Sequence, residues 1–338
     1  AIFGENGTGK TAIITSIKIL KNLMLNKYYL TDSNNVRLLK NLINKKTNNL
    51  DLSAEFFCNY DDDKSIVKYS ISVNYDDMLN RFVINRETLE RKGINSKKSK
   101  VIYDIVDGIV SDTCNRDFFD LINEGNGADI LRERSFVSTY NSKDIKEGLD
   151  IQSVKYTSSE KMFFNALLES ILFAASLYVY TEPFNEYDEY VASSALQEYF
   201  NSNHKGLPNL DRNAIRESII IGERFNVEKK DLPNYEEEVK KLYKFISIFK
   251  PDLREIEINK QDNRDYYVCD LVFVYDDYKI GYGFESNGIK KLVMLYKALD
   301  AVDKGSIVFV DEFDSNIHDV YLCKLIEYIK EYAKGQFC

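Results

Sequence analysis

Residues 4–11 read Gly-Glu-Asn-Gly-Thr-Gly-Lys-Thr and satisfy the pattern G-x-x-x-x-G-K-[ST]. Nothing else in the chain restricts the fold as tightly, because the pattern works where a buried strand turns sharply into a helix. Gly4, Gly7 and Gly9 let the backbone curl, so that the N–H groups along the loop, those of Glu5, Asn6 and Thr8 included, point inward at anionic oxygens. Lys10 is placed to reach the β- and γ-phosphates of a nucleotide, and the Thr11 hydroxyl to ligate Mg²⁺. The flanks suit this. Ala1-Ile2-Phe3 reads as the end of a buried strand, and residues 11–25 carry Ile13, Ile17, Leu20 and Met24 at helical spacing. The dipole at the start of such a helix favours a bound anion.

The chain is long enough, at 338 residues, to bury a large core, and its 44 % hydrophobic content suits a folded protein. The longest apolar run, residues 171–180, contains Ser176 and is too short to span a bilayer. Five widely spaced cysteines without a Cys-x-x-Cys argue for free thiols in a reducing cytoplasm and against zinc. With two histidines, His-rich metal or acid–base chemistry is nearly excluded, and His204, in a Gly-Pro-containing loop, reads as solvated. The net charge of −9 gives no support to a dominant nucleic-acid surface. The phosphate loop begins at residue 4 without an initiator methionine, and residues 335–338 read as the start of another apolar strand. Both ends lead to the expectation of an internal piece of a longer protein.

Two further landmarks lie near the far end. Ser306-Ile307-Val308-Phe309-Val310 reads as a buried parallel strand that runs into Asp311-Glu312. Alone, this would equally be a strand ending in two solvated acids. Beside a phosphate loop it has the form of a Walker B element, with Asp311 on the metal side and Glu312 as catalytic base. Upstream, Glu285-Ser286-Asn287-Gly288-Ile289-Lys290-Lys291-Leu292 opens a helix with Leu292, Leu295 and Leu299 on one face, and Ser286 suits the N-cap position. It reads either as an ordinary cap or as a signature motif for the γ-phosphate held by a second subunit. Ser286 precedes Asp311 by twenty-five residues, room for one helix and a turn, which favours the second. His318 lies on the loop leaving the strand, either as an exposed polar residue or near a nucleotide at a dimer interface.

Together these landmarks resemble the AAA family ATPases of the ABC-ATPase type, which include abortive-infection ATPases and the ATPase portion of overcoming-lysogenization-defect nucleases. The resemblance rests on residues 4–11, 285–292 and 309–318. The signature begins Glu-Ser, as in that family, and the Walker B continues Asp-Glu-x-Asp-Ser-x-x-His. It implies a P-loop NTPase of α/β class, an ABC-ATPase-like head that hydrolyses ATP with Mg²⁺ as a head-to-tail homodimer. Lys10 and Glu312 would be the catalytic residues, Thr11 and Asp311 would hold the metal, and the partner's signature with Ser286, Asn287 and Gly288 would meet the nucleotide. A nuclease effector, fused or separate, and a role in antiphage defence are carried by the resemblance alone. The family's switch histidine would fall just beyond Cys338, and neither Gln152 nor Gln197 has the strand context of a Q-loop.

The Walker elements are about three hundred residues apart, so a large insertion separates them. Residues 51–86 alternate like an antiparallel meander, broken by acidic turns at Asp61-Asp62-Asp63 and Asp76-Asp77. Lys97 to Lys100 reads as a solvated loop. Residues 116–249 read as mostly helical, with a strongly apolar helix over 162–180 and an amphipathic one over 235–249. Residues 255–258, 266–275 and 279–284 read as strands returning to the signature helix. The expected domains are 1–110 (phosphate loop and antiparallel sheet), 111–250 (helical insertion) and 251–338 (signature helix and Walker B). An ATP-driven switch is the leading reading. A DNA-repair ATPase of the structural-maintenance type is the alternative, weakened by acidic charge and by the lack of long heptads. A transporter subunit and a slow nucleotide sensor rank below these.

Overall fold

The computed structural model describes residues 9–60, 63–122, 127–141, 157–181, 225–303, 306–315 and 317–332. They fall into two compact units, with residues 9–177 in one and 178–332 in the other. His204, Gln152 and Gln197 lie outside the described residues.

In the first unit, alternation becomes an antiparallel meander. Strands β1 (Asn49–Tyr60), β2 (Asp63–Asp76) and β3 (Arg81–Gly93) pair in sequence order. Val67, Tyr69, Ile71 and Val73, two residues apart on β2, are all buried on one face. The Asp76 carboxylate accepts the N–H groups of Met78 and Leu79, both at 3.0 Å, and so makes the acidic turn it was expected to make. The sheet then continues beyond the expected range with β4 (Lys100–Val106) and β5 (Ile109–Thr113). Asp107-Gly108 joins them, with φ of 48° and 77°, the two left-handed residues that a tight hairpin demands. Gly108 is doubly required, since a Cβ there would lie 2.1 Å from the Ala128 carbonyl oxygen.

Helices α1 (Lys10–Leu25), α2 (Ser33–Leu42), α3 (Arg116–Ile122), α4 (Ala128–Glu133), α5 (Phe136–Asn141) and α6 (Ser158–Ser176) complete this unit. Thr157 and Glu160 form a capping box at the start of α6. The apolar stripe of α1 differs from expectation. Ile13 is exposed and Ile17 half-buried, while Ile14 and every residue from Ile19 to Leu25 are buried. The reason is that α1 packs against both α5 and α6, so its second half is enclosed all round. Lys21 survives burial there by donating to the Leu177 carbonyl oxygen at 2.6 Å.

Two buried acids tie the sheet to the helices. Glu87, 1 % exposed, accepts from the Tyr69 and Tyr103 hydroxyls at 3.1 and 2.8 Å and from the Phe136 N–H at 2.7 Å. Burial pushes its carboxyl above the ordinary value, and these donors oppose the shift. Glu169 on α6 meets Arg91 on β3 through two parallel bonds of 2.8 Å, with Ser65 as a further donor. Burial and the charge of Glu169 push the nearby Cys58 thiol up to about 12.

In the second unit, β9 (Tyr266–Tyr275) is the central strand. It pairs antiparallel with β8 (Leu253–Asn263) along one edge, and with β7 (Phe225–Glu228) and then β10 (Lys279–Gly281) along the other. Helix α7 (Leu232–Phe249) lays Tyr235, Val239, Leu242, Phe245, Ile246 and Phe249 into the core at helical spacing, and starts with Pro233 in its first turn. Against it pack α8 (Asn287–Asp303) and α9 (Asp319–Tyr332). A two-stranded pair, β6 (Leu177–Tyr180) and β11 (Ile307–Val310), completes the unit. The helix expected over residues 162–180 is corrected here: α6 stops at Ser176, and Leu-Tyr-Val-Tyr forms β6. Aromatic and β-branched residues favour a strand, and the Asp311 N–H donates to the Tyr180 carbonyl oxygen at 2.9 Å. The described part of residues 116–249 therefore contains strands as well as helices. The protein is a mixed α/β structure with antiparallel sheets. Among the described residues, no helix is long and apolar enough to cross a membrane.

Candidate functional site

The candidate residues fall into two groups, one in each unit. In the first unit, Gly4, Glu5, Asn6, Gly7 and Thr8 lie outside the described residues. Gly9, the first described residue, has a left-handed φ of 91°. A Cβ at Gly9 would meet nothing within 4 Å, so it is the dihedral angle and not crowding that favours glycine. Helix α1 starts at the next residue, Lys10, and the Gly9 carbonyl accepts the Ile13 N–H at 3.2 Å. Gly9 offers no side-chain cap, and Thr11 and Ala12 are exposed.

The second unit brings the other candidates onto two adjoining turns. The chain leaves β10 through a 3₁₀ turn, Tyr282–Phe284, and reaches the signature residues. Glu285 is buried and anchors this approach. Its Oε1 accepts the Tyr275 hydroxyl at 2.6 Å and its Oε2 the Ser286 N–H at 3.0 Å. Burial first, and then the bond to Glu285, push the Tyr275 hydroxyl well above its ordinary value. Lys290 reaches back to the Gly283 carbonyl oxygen at 2.6 Å. Ser286 is the N-cap, as expected: its Oγ accepts the Ile289 N–H at 3.3 Å and its carbonyl the Lys290 N–H at 3.0 Å. Asn287 and Gly288 form the first turn of α8, with Ser286 and Asn287 exposed. Phe284 projects beside them, 85 % exposed.

The Walker B candidates follow β11. This strand was expected to be buried, yet Ile307 is 44 % exposed and Val308, Phe309 and Val310 are half-buried. Among the described residues it pairs with the four-residue β6 and packs against α8, with Val308 and Val310 turned toward the core. Asp311 accepts the Glu312 N–H at 3.1 Å. Glu312 itself is exposed and sits at φ 47°, an uncommon conformation for a residue of its type. Its carbonyl oxygen accepts the Ser315 N–H at 3.0 Å and the Lys291 ammonium at 2.9 Å, and that ammonium also lies 3.2 Å from Ser315 Oγ. His318 is exposed and starts α9: its Nδ1 accepts the Val320 N–H at 3.3 Å and its carbonyl the Tyr321 N–H at 2.7 Å.

The sequence gives Ser286 and Glu312 roles but none to Lys291, which stands in the same motif and links α8 to the Glu312 turn. Its one signal was position, a lysine between Ile289, Leu292 and Leu295 on an apolar helix face. A polar groove of ≈ 410 Å³ on the first unit, lined by Ser53, Lys68, Ser70, Arg86, Thr88 and Glu90 among others, contains none of the candidates. No protein-family model matches the chain, and a search of curated proteins finds no match either.

Proposed function

We propose that the protein is a P-loop ATPase with an ABC-type head. It binds ATP with Mg²⁺, and two copies close head to tail on the nucleotides until hydrolysis releases them. The nucleotide state then switches an effector in the cytoplasm, with a nuclease and antiphage defence as the setting suggested by resemblance. The observation that carries this reading is the start of α1. A left-handed Gly9 stands directly before a helix whose first residues are Lys10 and Thr11, with an exposed first turn. That is the backbone a phosphate loop needs at its end.

The roles follow from the chemistry of the groups. Lys10 and the N–H groups at the start of α1 would hold the β- and γ-phosphates. The Thr11 hydroxyl and the Asp311 carboxylate are the protein oxygens that would hold Mg²⁺, which would supply charge neutralisation to the phosphates. Glu312 would orient and deprotonate the attacking water. Ser286, Asn287 and Gly288 would be offered to the nucleotide of a second copy, with the exposed Phe284 at the contact. The exposed His318 would lie along the same interface.

An ATP titration of the protein and of Lys10→Ala, read by fluorescence of a labelled nucleotide, tests the reading. Loss of a charge-assisted phosphate contact costs about 1.5–3 kcal/mol, so affinity should fall roughly ten- to hundredfold. Equal affinities would show that the nucleotide does not use this loop.

A further inference from the structure

We infer that Lys291 is the positioning residue for Glu312, and that through it the seating of the signature helix sets whether the base is in place. This rests on the ATPase reading above. Lys291 is 6 % exposed and belongs to α8, the helix that Ser286 caps. Its ammonium crosses to the Walker B turn and donates to the Glu312 carbonyl oxygen at 2.9 Å and to Ser315 Oγ at 3.2 Å. Those two acceptors bracket the tight turn that the Ser315 N–H closes on the same Glu312 carbonyl.

The turn needs such a hold. A glutamate at φ 47° relaxes to ordinary dihedrals unless its surroundings forbid it, and relaxation would swing the carboxylate away from its present direction. Burial makes the hold firm. A lysine ammonium taken out of water requires acceptors, and the carbonyl oxygen of Glu312 and the hydroxyl of Ser315 are two that it has. Any shift of α8 along its axis moves the ammonium with it. The contact that a second copy would make at Ser286, Asn287 and Gly288 therefore bears on Glu312 without touching it.

The test is amide hydrogen exchange together with ATP turnover on the whole protein, Lys291→Met and Ser315→Ala. In Lys291→Met, residues 311–315 should exchange faster while the β8–β9 hairpin stays as protected as in the parent. Turnover should fall about tenfold or more with the dissociation constant for ATP within about twofold, since only the placement of the base is lost. Ser315→Ala, which removes one acceptor at a half-buried position, should move both readouts the same way by less. Unchanged exchange at residues 311–315 in both variants overturns the inference, whether or not the protein hydrolyses ATP. Unchanged turnover in a folded Lys291→Met overturns it too. Faster exchange in a protein that neither binds nor turns over ATP would instead overturn the ATPase reading, and the catalytic half of this inference with it.

Discussion

Four non-glycine residues among those described have positive φ, and they divide the molecule. Asn48, Asn80 and Asp107 are in the first unit, each at the end of a strand or in a hairpin. They are the residue types that tolerate the left-handed region, and the local structure uses them. Asn48 donates from its side chain to the Tyr75 carbonyl oxygen at 2.8 Å, Asn80 accepts the Tyr75 hydroxyl, and the Asp107 N–H donates to the Asn85 carbonyl at 2.9 Å. Glu312 in the second unit has no such excuse of type. Its carbonyl is held by the Ser315 N–H of its own turn and by a buried lysine on another element. The contrast teaches where each unit spends its polar chemistry. The first unit turns its buried acids, Glu87 and Glu169, inward onto helices and strands. The second buries Glu238 and Glu285 in the same way, but it also presents an acid, Glu312, outward at a strained backbone.

The sharpest way to break this contrast is through Glu87. In Glu87→Gln an amide NH₂ would oppose donors that now converge on the carboxylate, at a cost of about 1–3 kcal/mol, read from the denaturation midpoint. The pH dependence has a definite sign. A carboxyl raised in the folded state contributes its full stability below its ordinary value of 4.5 and loses it as pH rises through the raised value. Glutamine has no such dependence, so the deficit of Glu87→Gln should be largest at and below pH 4.5 and shrink as the pH rises above it. A constant deficit would mean that folding does not raise the Glu87 carboxyl.

A smaller effect of opposite sign is expected at Glu312. Glycine relieves the left-handed strain of about 1–2 kcal/mol while adding about 0.5–1 kcal/mol of chain entropy to lose. Glu312→Gly should therefore stabilise the protein by up to about 1.5 kcal/mol while abolishing ATP turnover. Destabilisation by that substitution would make Glu312 a structural residue and erase the difference between the units.

Local chemistry explains what was legible in the sequence. The meander over residues 51–86, the Ser286 cap and the amphipathic α7 rest on spacing and single-residue preferences, and all three stand in the structure. The β4–β5 hairpin was missed although Asp107-Gly108 announced it. The strand at Leu177–Tyr180 was hidden because an apolar run reads alike as buried helix or strand, and only pairing with β11 decides between them. Lys291 was illegible for a deeper reason. Its acceptors lie twenty-one and twenty-four residues onward, and no periodicity encodes a side chain crossing from one element to the turn of another.

If Glu312 is the outward-held base proposed above, its loss should trap an ATP-bound state. Size measurement of Glu312→Gln by light scattering, with saturating ATP and Mg²⁺ and then without nucleotide, tests it most directly. The expected result is a dimer that persists with ATP and dissolves without it, while the parent protein dimerises only transiently. A variant that stays monomeric at saturating ATP would contradict it.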